Sequence, residues 1–460
     1  MPIDFRSLVL TRRRFVQFGA AGSLSMGGLI DAKLRADNAK ITVPSSIRAC
    51  IFVFYYGGPS HLDTYDLKPH APSTVRGEFQ PIKTSVPGLQ ISELLPNLSR
   101  VMHHCALIRS MHHNNRLHDS ASIETHTGRQ ASQGDREEFA PIPQFHPSHG
   151  GTISYLMRDR RLDVAHAALP FVFNNVVPTP CQGGGFLGSA FDPFRVTVDS
   201  EKQHYIAEEL SIRSELPTQR IGSRRDLLST LQPVTLKSTA EFDQYYNRAY
   251  QLLGSEKIRR ALDLSEETPE TRQRYGVYPE NVAGHGVAHH MRGQNLLVAR
   301  RLVEAGVPFV NVYDFRQQGQ NWDAHANNFA QHKEHLVPPA EKSLAALIND
   351  LQERGLLDST LIVATGEFGR TPQINNGAGR DHWPDCYSVL LAGGGIQGGA
   401  IHGASDAIGA YPDKDPATPA DLAATIYWRF GFDPKQHIVD RTGRPWHVTD
   451  GEPIKHLFNA

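Results

Sequence analysis

Residues 361–384, with the sequence LIVATGEFGRTPQINNGAGRDHWP, join an apolar run of strand length to a polar loop. Glu367 follows the apolar run directly, and the loop then presents Asp381 and His382 side by side. In α/β proteins, ligands bind beyond the carboxyl ends of the parallel strands. This stretch therefore predicts both the fold class and one edge of a functional site.

Apolar runs alternate with amphipathic segments along much of the chain. Strands are predicted at 48–56, 105–111, 169–174, 307–313, 360–365 and 387–392, and helices at 94–102, 119–129, 151–160, 291–305, 337–353 and 422–430. Such alternation predicts an α/β fold with a mostly parallel central sheet and helices on both faces. We expect residues 41–460 to form a single domain. Charged, helix-favouring sequence at about 178–290 predicts a helical insertion.

The composition is that of an ordinary globular protein, with 40% apolar residues and a formal net charge of −1 in 460 residues. The chain has no excess of basic residues, so its charge does not indicate a nucleic-acid partner. Histidine is unusually frequent, at 23 residues, which is compatible with metal or acid/base chemistry. The four cysteines form no CxxC pair. Three of them, Cys50, Cys105 and Cys386, border apolar runs, so buried thiols are expected, with a disulfide as the alternative.

Residues 8–31 combine a basic run with an apolar segment that is too short and glycine-rich for a membrane span. The string at 11–16, TRRRFV, resembles the twin-arginine export pattern. We expect residues 1–40 to be an export signal and linker, and the protein to be periplasmic or extracellular, with no stable membrane span once the signal is removed. A basic amphipathic N-terminal helix is the alternative.

Polar residues follow four of the predicted strands at their carboxyl ends. They are His61, Asp63 and Asp66; His118, Asp119 and Ser120; Asp323 and His325; and Glu367, Asp381 and His382. A parallel sheet brings such ends to one edge, although any single pair could be a solvated loop. Carboxylates and imidazoles without thiolates suit zinc, manganese, magnesium or calcium. The pattern predicts a divalent-metal or acid/base site.

Ser120 opens a helix-like segment, and two interpretations stay open for it. Its hydroxyl could cap the free N–H groups of the helix. It could instead be a nucleophile activated by a metal or a neighbouring base, with the helix N-terminus stabilising an anionic group.

Five segments carry a family resemblance: GGPSHLDTYDLKP (57–69), HDSASIETHTGR (118–129), WDAHANNF (322–329), TGEFGRTP (365–372) and GRDHWP (379–384). Together they resemble the large bacterial family labelled domain of unknown function 1501, whose members look like the alkaline phosphatase and sulfatase superfamily. The resemblance covers nearly the whole chain after the export signal. It implies an alkaline phosphatase-like fold, a metal site at the carboxyl edge of the sheet and hydrolysis of a phosphate or sulfate ester. Small-molecule esters or sulfated polysaccharides are the substrate classes it implies.

The resemblance also implies roles for individual residues. Asp63 matches the acidic ligand after the first strand, with His61 beside it, and Ser120 falls near the nucleophile. Asp323 and His325 would bind one metal, and Glu367, Asp381 and His382 would bind the other. His118 or Arg129 would stabilise charge on the transferred group. Phe368 stands where the superfamily usually has a histidine, which implies that one metal site is altered. The rival hypothesis is an exported, non-catalytic binding or scaffold protein.

Overall fold

The computed structural model describes residues 47–140, 142–199, 204–207, 255–276, 286–314 and 322–459. The predicted export signal therefore lies outside the described residues. No helix in these ranges is long and apolar enough to cross a membrane. All four cysteines are buried free thiols, so the disulfide alternative is wrong.

An eight-stranded sheet forms the centre of the molecule. Its strands are β1 (Ala49–Phe54), β2 (Cys105–Met111), β3 (His166–Leu169), β4 (Phe194–Arg195), β5 (Phe309–Tyr313), β6 (Thr360–Thr365), β7 (Tyr387–Gly393) and β8 (Ile401–His402). The spatial order is β8-β2-β7-β6-β1-β5-β3-β4. Only β7 runs antiparallel to its neighbours within this sheet. The predicted fold class, with a mostly parallel central sheet, is confirmed.

Helices cover both faces of the sheet. They are α1 (Pro96–Val101), α2 (His118–Thr127), α3 (His149–Leu156), α4 (Glu256–Leu262), α5 (Pro269–Tyr275), α6 (Gly286–Glu304), α7 (Val337–Glu353) and α8 (Pro419–Arg429). In β1, Ile51 and Val53 pack toward α1, α6 and α7, whereas Phe52 and Phe54 pack toward α3 and α8. Burial on both faces explains why the strand reads as a continuous apolar run.

Shorter elements fill the loops. Two-stranded pairs join Pro81–Lys83 to Gln90–Ser92, Thr197–Asp199 to His204–Ile206, Gly369–Arg370 to His382–Trp383, Ala404–Ser405 to Pro412–Lys414, and His437–Val439 to Pro445–His447. Short α-helical turns are Ser73–Arg76 and Asn328–Gln331, and a π-helical turn at His332–Leu336 leads into α7. Short 3-10 turns are His61–Asp63, Met102–His104, Gly185–Leu187, Ser189–Phe191, Leu264–Glu266, Leu357–Ser359 and Lys455–Leu457.

Two predictions differ from the observed elements. The third strand ends at Leu169 instead of beginning there, because the next residue, Pro170, has no N–H to give to the ladder. The segment predicted as a helical insertion at 178–290 lies partly outside the described residues. Its described part contains α4 and α5 but also β4, which adds to the edge of the central sheet beside β3. The helical insertion stays a prediction for the remainder.

The register of the sheet positions the site. Phe54 at the end of β1 pairs with Thr365 of β6 on one side and with Tyr313 of β5 on the other. Met111 at the end of β2 pairs with Tyr387, where the antiparallel β7 begins. The loops that follow β1, β2, β5 and β6, and the loop that precedes β7, therefore meet at one edge.

Candidate metal centre

Three side chains from three of these loops converge on one point. His118 opens α2, Asp323 follows β5, and His382 precedes β7; one ligand atom of each lies within 4.8 Å of the others. His118 Nε2 lies 3.2 Å from Asp323 Oδ2, and His382 Nε2 lies 3.1 Å from Asp323 Oδ1. We call His118, Asp323 and His382 the triad.

His325 extends the triad toward solvent. Its Nε2 lies 2.9 Å from Asp323 Oδ1 and 3.0 Å from His382 Nε2. The side chain is 45% exposed, whereas that of His118 is 1% exposed. The centre thus has a buried floor at His118 and an open mouth at His325.

Each of the three imidazoles is oriented by an acceptor at its other nitrogen. His118 Nδ1 lies 2.6 Å from Glu367 Oε1, and His325 Nδ1 lies 2.7 Å from Asp381 Oδ1. His382 Nδ1 lies 2.7 Å from the carbonyl oxygen of Arg116. Since carboxylate and carbonyl oxygens only accept, each Nδ1 is a donor. Metal-bound histidines in proteins characteristically have such an outer partner.

This hydrogen-bond pattern leaves the Nε2 atoms facing a carboxylate. In neutral rings whose Nδ1 carries the hydrogen, each Nε2 presents a lone pair toward Asp323. Lone pairs and a carboxylate at about 3 Å repel one another unless a cation lies between them. Neutral imidazole nitrogen and carboxylate oxygen are ordinary ligands of zinc and other divalent transition metals. The residues present therefore fit a metal ion.

The electrostatics of the three histidines agree with a cation site. Burial would lower the pKa of His118, but its hydrogen bonds and the charges of Asp323 and Glu367 outweigh burial and raise the pKa to about 9. The hydrogen bond to Asp323 raises the pKa of His325 despite partial burial. Burial lowers the pKa of His382. The site thus attracts positive charge strongly, and protons take that place when no metal does.

A glycine turn at the end of β1 holds the centre together. Glu367 accepts hydrogen bonds from the amide of Gly57 at 2.8 and 3.1 Å. Gly57 has a positive φ of 108°, and a Cβ there would collide with the backbone nitrogen of Asp323. Only glycine lets the loop after β5 approach β1 this closely.

Arg370 fixes Asp323 from the other side. Its buried guanidinium donates to Asp323 Oδ1 at 2.6 Å, to the carbonyl oxygen of Gly58 at 3.0 Å and to that of Gly57. Phe368 lies between these groups, with its ring 5.1 Å from that of His118 and 4.6 Å from that of His382. The position expected to hold a further histidine thus supports two histidine rings instead.

Two of the predicted ligands, Asp63 and His61, are bound to groups other than the triad. Asp63 is fully buried and forms an ion pair with Arg380, whose Nε lies 2.8 Å from Asp63 Oδ2, while Asn328 donates to the same oxygen at 2.9 Å. His61 Nε2 lies 2.8 Å from the carbonyl oxygen of Gly409. Glu367 and Asp381 lie beside the triad but contact the Nδ1 side of its histidines.

The two other predicted catalytic residues face away from the triad. Ser120 is two residues after His118 on α2, about 200° around the helix axis. Its Oγ donates to Asp135 Oδ1 at 2.6 Å. Arg129 follows the other end of α2, about 15 Å along a ten-residue helix. It pairs there with Asp450 and donates to the carbonyl oxygen of His447 at 2.6 Å.

The start of α2 is capped by carboxylates of the following loop. Leu117 is the N-cap residue and supplies no side-chain cap. Glu137 instead accepts from the amides of His118 at 2.9 Å and Asp119 at 3.2 Å, and Asp135 accepts from the amide of Leu117 at 3.0 Å. Ser120 is therefore not the helix cap, and the capping interpretation of its hydroxyl is wrong.

Sequence reasoning missed two contributors to the centre. The sequence resemblance places His118 at the transferred group and not at the metal, although the pattern identifies the loop that carries it. Arg370 lies within the motif at 365–372, and the sequence pattern predicts no role for it. The signal for Arg370 is its spacing, because a carboxylate and an arginine three residues apart after a strand can hold one turn from both sides.

Solved structures with similar folds include a protein of the alkaline phosphatase superfamily from Vibrio parahaemolyticus, with a TM-score of 0.40 and 11% identity over 84% of this chain and 67% of that one. A phosphonate monoester hydrolase from Silicibacter pomeroyi has a TM-score of 0.38 and 12% identity, covering 90% and 76%. A sulfatase from Pseudoalteromonas has a TM-score of 0.36 and 13% identity, covering 91% and 83%. At these values the similarities say nothing about substrate or activity.

A comparison with curated proteins found no match. The model of one protein family, by contrast, matches residues 47–458, which include every residue of the candidate metal centre. The chain therefore belongs to the family described as protein of unknown function (DUF1501).

Proposed function

We propose that this protein is an exported, metal-dependent hydrolase of phosphate or sulfate esters. The observation that supports it most is the convergence of His118, Asp323 and His382, with every imidazole Nδ1 bound to an acceptor and every Nε2 turned toward Asp323. The ester class follows from the resemblance of the five motifs to the alkaline phosphatase and sulfatase superfamily. Export follows from the twin-arginine pattern at 11–16.

The triad would hold the metal, and His325 is placed to join it. Two imidazole nitrogens and a carboxylate favour zinc or manganese over calcium and magnesium, which prefer oxygen ligands. A divalent metal bound there supplies Lewis-acid activation of an ester oxygen. Glu367 fixes the ring of His118, and Asp381 fixes that of His325 at the mouth. The exposure of His325 leaves one side of the centre open to a substrate.

One observation favours the rival, a non-catalytic binding protein. Ser120 falls near the nucleophile position that the resemblance to the alkaline phosphatase and sulfatase superfamily implies. Its hydroxyl, however, binds Asp135 on the side of α2 away from His118. A hydrolase with this arrangement uses water as its nucleophile. A protein that has lost hydrolysis would keep the metal and show no turnover.

Elemental analysis of the purified full chain, together with assays of aryl phosphate and aryl sulfate hydrolysis with added zinc, manganese, magnesium or calcium, tests the proposal. We expect about one bound metal per chain and hydrolysis that is lost in His382→Ala. The exposed His70 provides a matched control, since His70→Ala should change neither quantity. Metal binding without hydrolysis of either ester would favour the binding protein. Absence of metal from protein prepared without chelator would overturn the proposal.

A further inference from the structure

Tyr56 has a buried hydroxyl without a partner. The side chain is wholly inaccessible to solvent, and its Oη makes no hydrogen bond to any described residue. Buried tyrosine hydroxyls normally find a partner, because leaving a buried donor unpaired destabilises the folded protein. Phenylalanine would fill the same space without that penalty. The described residues thus leave this hydroxyl available to a bound ligand.

The ring of Tyr56 lies directly beside the triad. Its centroid is 5.1 Å from that of His118 and 4.7 Å from that of Phe173. Burial raises the pKa of Tyr56, and the charges of Glu367, Asp119, Glu137 and Asp323 raise it further. The phenol thus lies within the field of the carboxylates that surround His118, yet it hydrogen bonds to none of them.

The backbone holds Tyr56 firmly in this place. Its carbonyl oxygen accepts from the amide of Trp322 at 3.0 Å, next to Asp323. The following residue, Gly57, is bound to Glu367. The backbone on both sides of the phenol is thus fixed, and a fixed position is the property that makes a preorganised hydrogen-bond donor effective in catalysis.

We propose that Tyr56 is a further catalytic residue, whose Oη–H donates a hydrogen bond to an oxygen of the phosphoryl or sulfuryl group when that group lies at the triad. This inference rests on the proposed function. A phenol at neutral pH is a donor, and the oxygens of a phosphoryl or sulfuryl group are acceptors. The surrounding carboxylates only accept and would repel an anionic group, so they cannot take the place of this donor. Its neighbour Tyr55 points to the opposite face of β1, where its ring packs 5.3 Å from that of Trp322.

The test compares Tyr56→Phe with Tyr55→Phe in the metal-loaded full chain. The probes are inorganic phosphate and inorganic sulfate, titrated by calorimetry, together with kcat and KM for an aryl phosphate and an aryl sulfate. We expect Tyr56→Phe to keep its metal content and melting temperature, to bind the preferred anion about tenfold more weakly, and to lose about 10²-fold in kcat, as for a removed oxyanion donor. Tyr55→Phe should match wild type. The anion that loses affinity identifies the ester class.

A second measurement observes the tyrosine directly. Adding the preferred anion to wild type should change the ultraviolet difference spectrum of tyrosine, and Tyr56→Phe should abolish that change. If wild type binds metal and hydrolyses an ester while both variants behave alike, the role of Tyr56 is overturned and the proposed function stands. If wild type neither binds metal nor hydrolyses either ester, the proposed function is overturned and the role of Tyr56 with it.

Discussion

Glu367 Oε1 accepts a hydrogen bond from His118 Nδ1 over 2.6 Å, across 249 residues of sequence. Both side chains are buried, at 0% and 1% exposure. The same carboxylate also binds the amide of Gly57. Glu367 therefore connects the end of β6 to β1 and α2, and it sets the direction in which His118 Nε2 points.

Replacing Glu367 by glutamine should weaken metal binding by about 10- to 100-fold, the usual effect of losing an outer partner of a metal-binding histidine. Glutamine keeps the size of the side chain, but its NH₂ group would face either His118 Nδ1 or the amide of Gly57, and both of these are donors. Titration of the metal-free protein with zinc or cobalt gives the affinity. Glu341, a buried carboxylate that binds Asn97 and Leu98, provides the control Glu341→Gln. Equal affinities in the two variants would contradict the role of Glu367.

Asp63→Asn should destabilise the protein without removing its metal. Breaking one partner of a buried ion pair costs about 3–5 kcal/mol, and Asp63 and Arg380 are both fully buried. Burial raises the pKa of Asp63, but the charges of Arg380 and His332 and the hydrogen bonds from Ser60 and Arg380 together outweigh burial and hold the pKa below its usual value. This contribution to stability is therefore present above the unfolded pKa and is lost as pH falls through the folded pKa. Urea unfolding gives the stability, and elemental analysis gives the metal content.

Asp323→Asn and Asp350→Asn serve as the two controls for this prediction. Asp323→Asn should lose metal, because the carboxylate belongs to the triad. Asp350 forms ion pairs with Arg300 and Arg354 in the layer of α6 and α7. Asp350→Asn should therefore lower the stability of the protein without changing its metal content. If Asp63→Asn loses metal as Asp323→Asn does, Asp63 is a ligand, as the sequence resemblance implies.

Ser120→Ala should leave hydrolysis near the wild-type rate and lower stability by about 1 kcal/mol, the typical contribution of one hydrogen bond. The hydroxyl faces Asp135 on the side of α2 opposite His118, so its removal does not reach the triad. Ser122 on the same helix has a buried hydroxyl without a partner among the described residues, so Ser122→Ala should cost less. A loss of several orders of magnitude in kcat for Ser120→Ala would show that Ser120 is the nucleophile.

Continuous apolar runs made much of the fold predictable. The strands at 105–111 and 360–365 and the helix at 337–353 have the predicted bounds, because each run ends at a clear change of composition. The strand at His166–Leu169 was misplaced because its apolar run continues past Pro170, which ends the ladder. Periodicity alone does not register that interruption.

The location of the site was predictable from the sequence, but the contacts of its individual side chains were not. The loops that carry Asp323 and His382 meet at the expected edge, since parallel strands align their carboxyl ends. Which aspartate faces the centre was not predictable, because it depends on a distant partner. Arg380, 317 residues away in sequence, turns Asp63 into an ion pair, whereas Arg370 leaves one oxygen of Asp323 facing His118.

Glu124 makes the stability of the protein depend on pH. It is buried on α2, and the side-chain amide of Asn115 donates to its Oε2 at 2.6 Å. Burial outweighs that hydrogen bond and raises the pKa of Glu124 from 4.5 to about 7. The unfolded chain therefore ionises first, and the contribution of Glu124 to stability falls as pH rises from about 4.5 to about 7 and is constant above. At about 1.4 kcal/mol for each pH unit, the total is at most about 3 kcal/mol.

Glu124→Gln, which is neutral at every pH, should gain stability relative to wild type across this window, by up to about 3 kcal/mol at pH 8 compared with pH 4. Urea unfolding of both proteins with chelator present measures the difference and removes any contribution of bound metal. The buried histidines titrate in both proteins, so their effects cancel in the comparison. Glu78→Gln, at an exposed position, should show no such trend. A stability difference that stays constant from pH 4 to pH 8 would mean that Glu124 ionises in the folded protein as readily as in the unfolded chain.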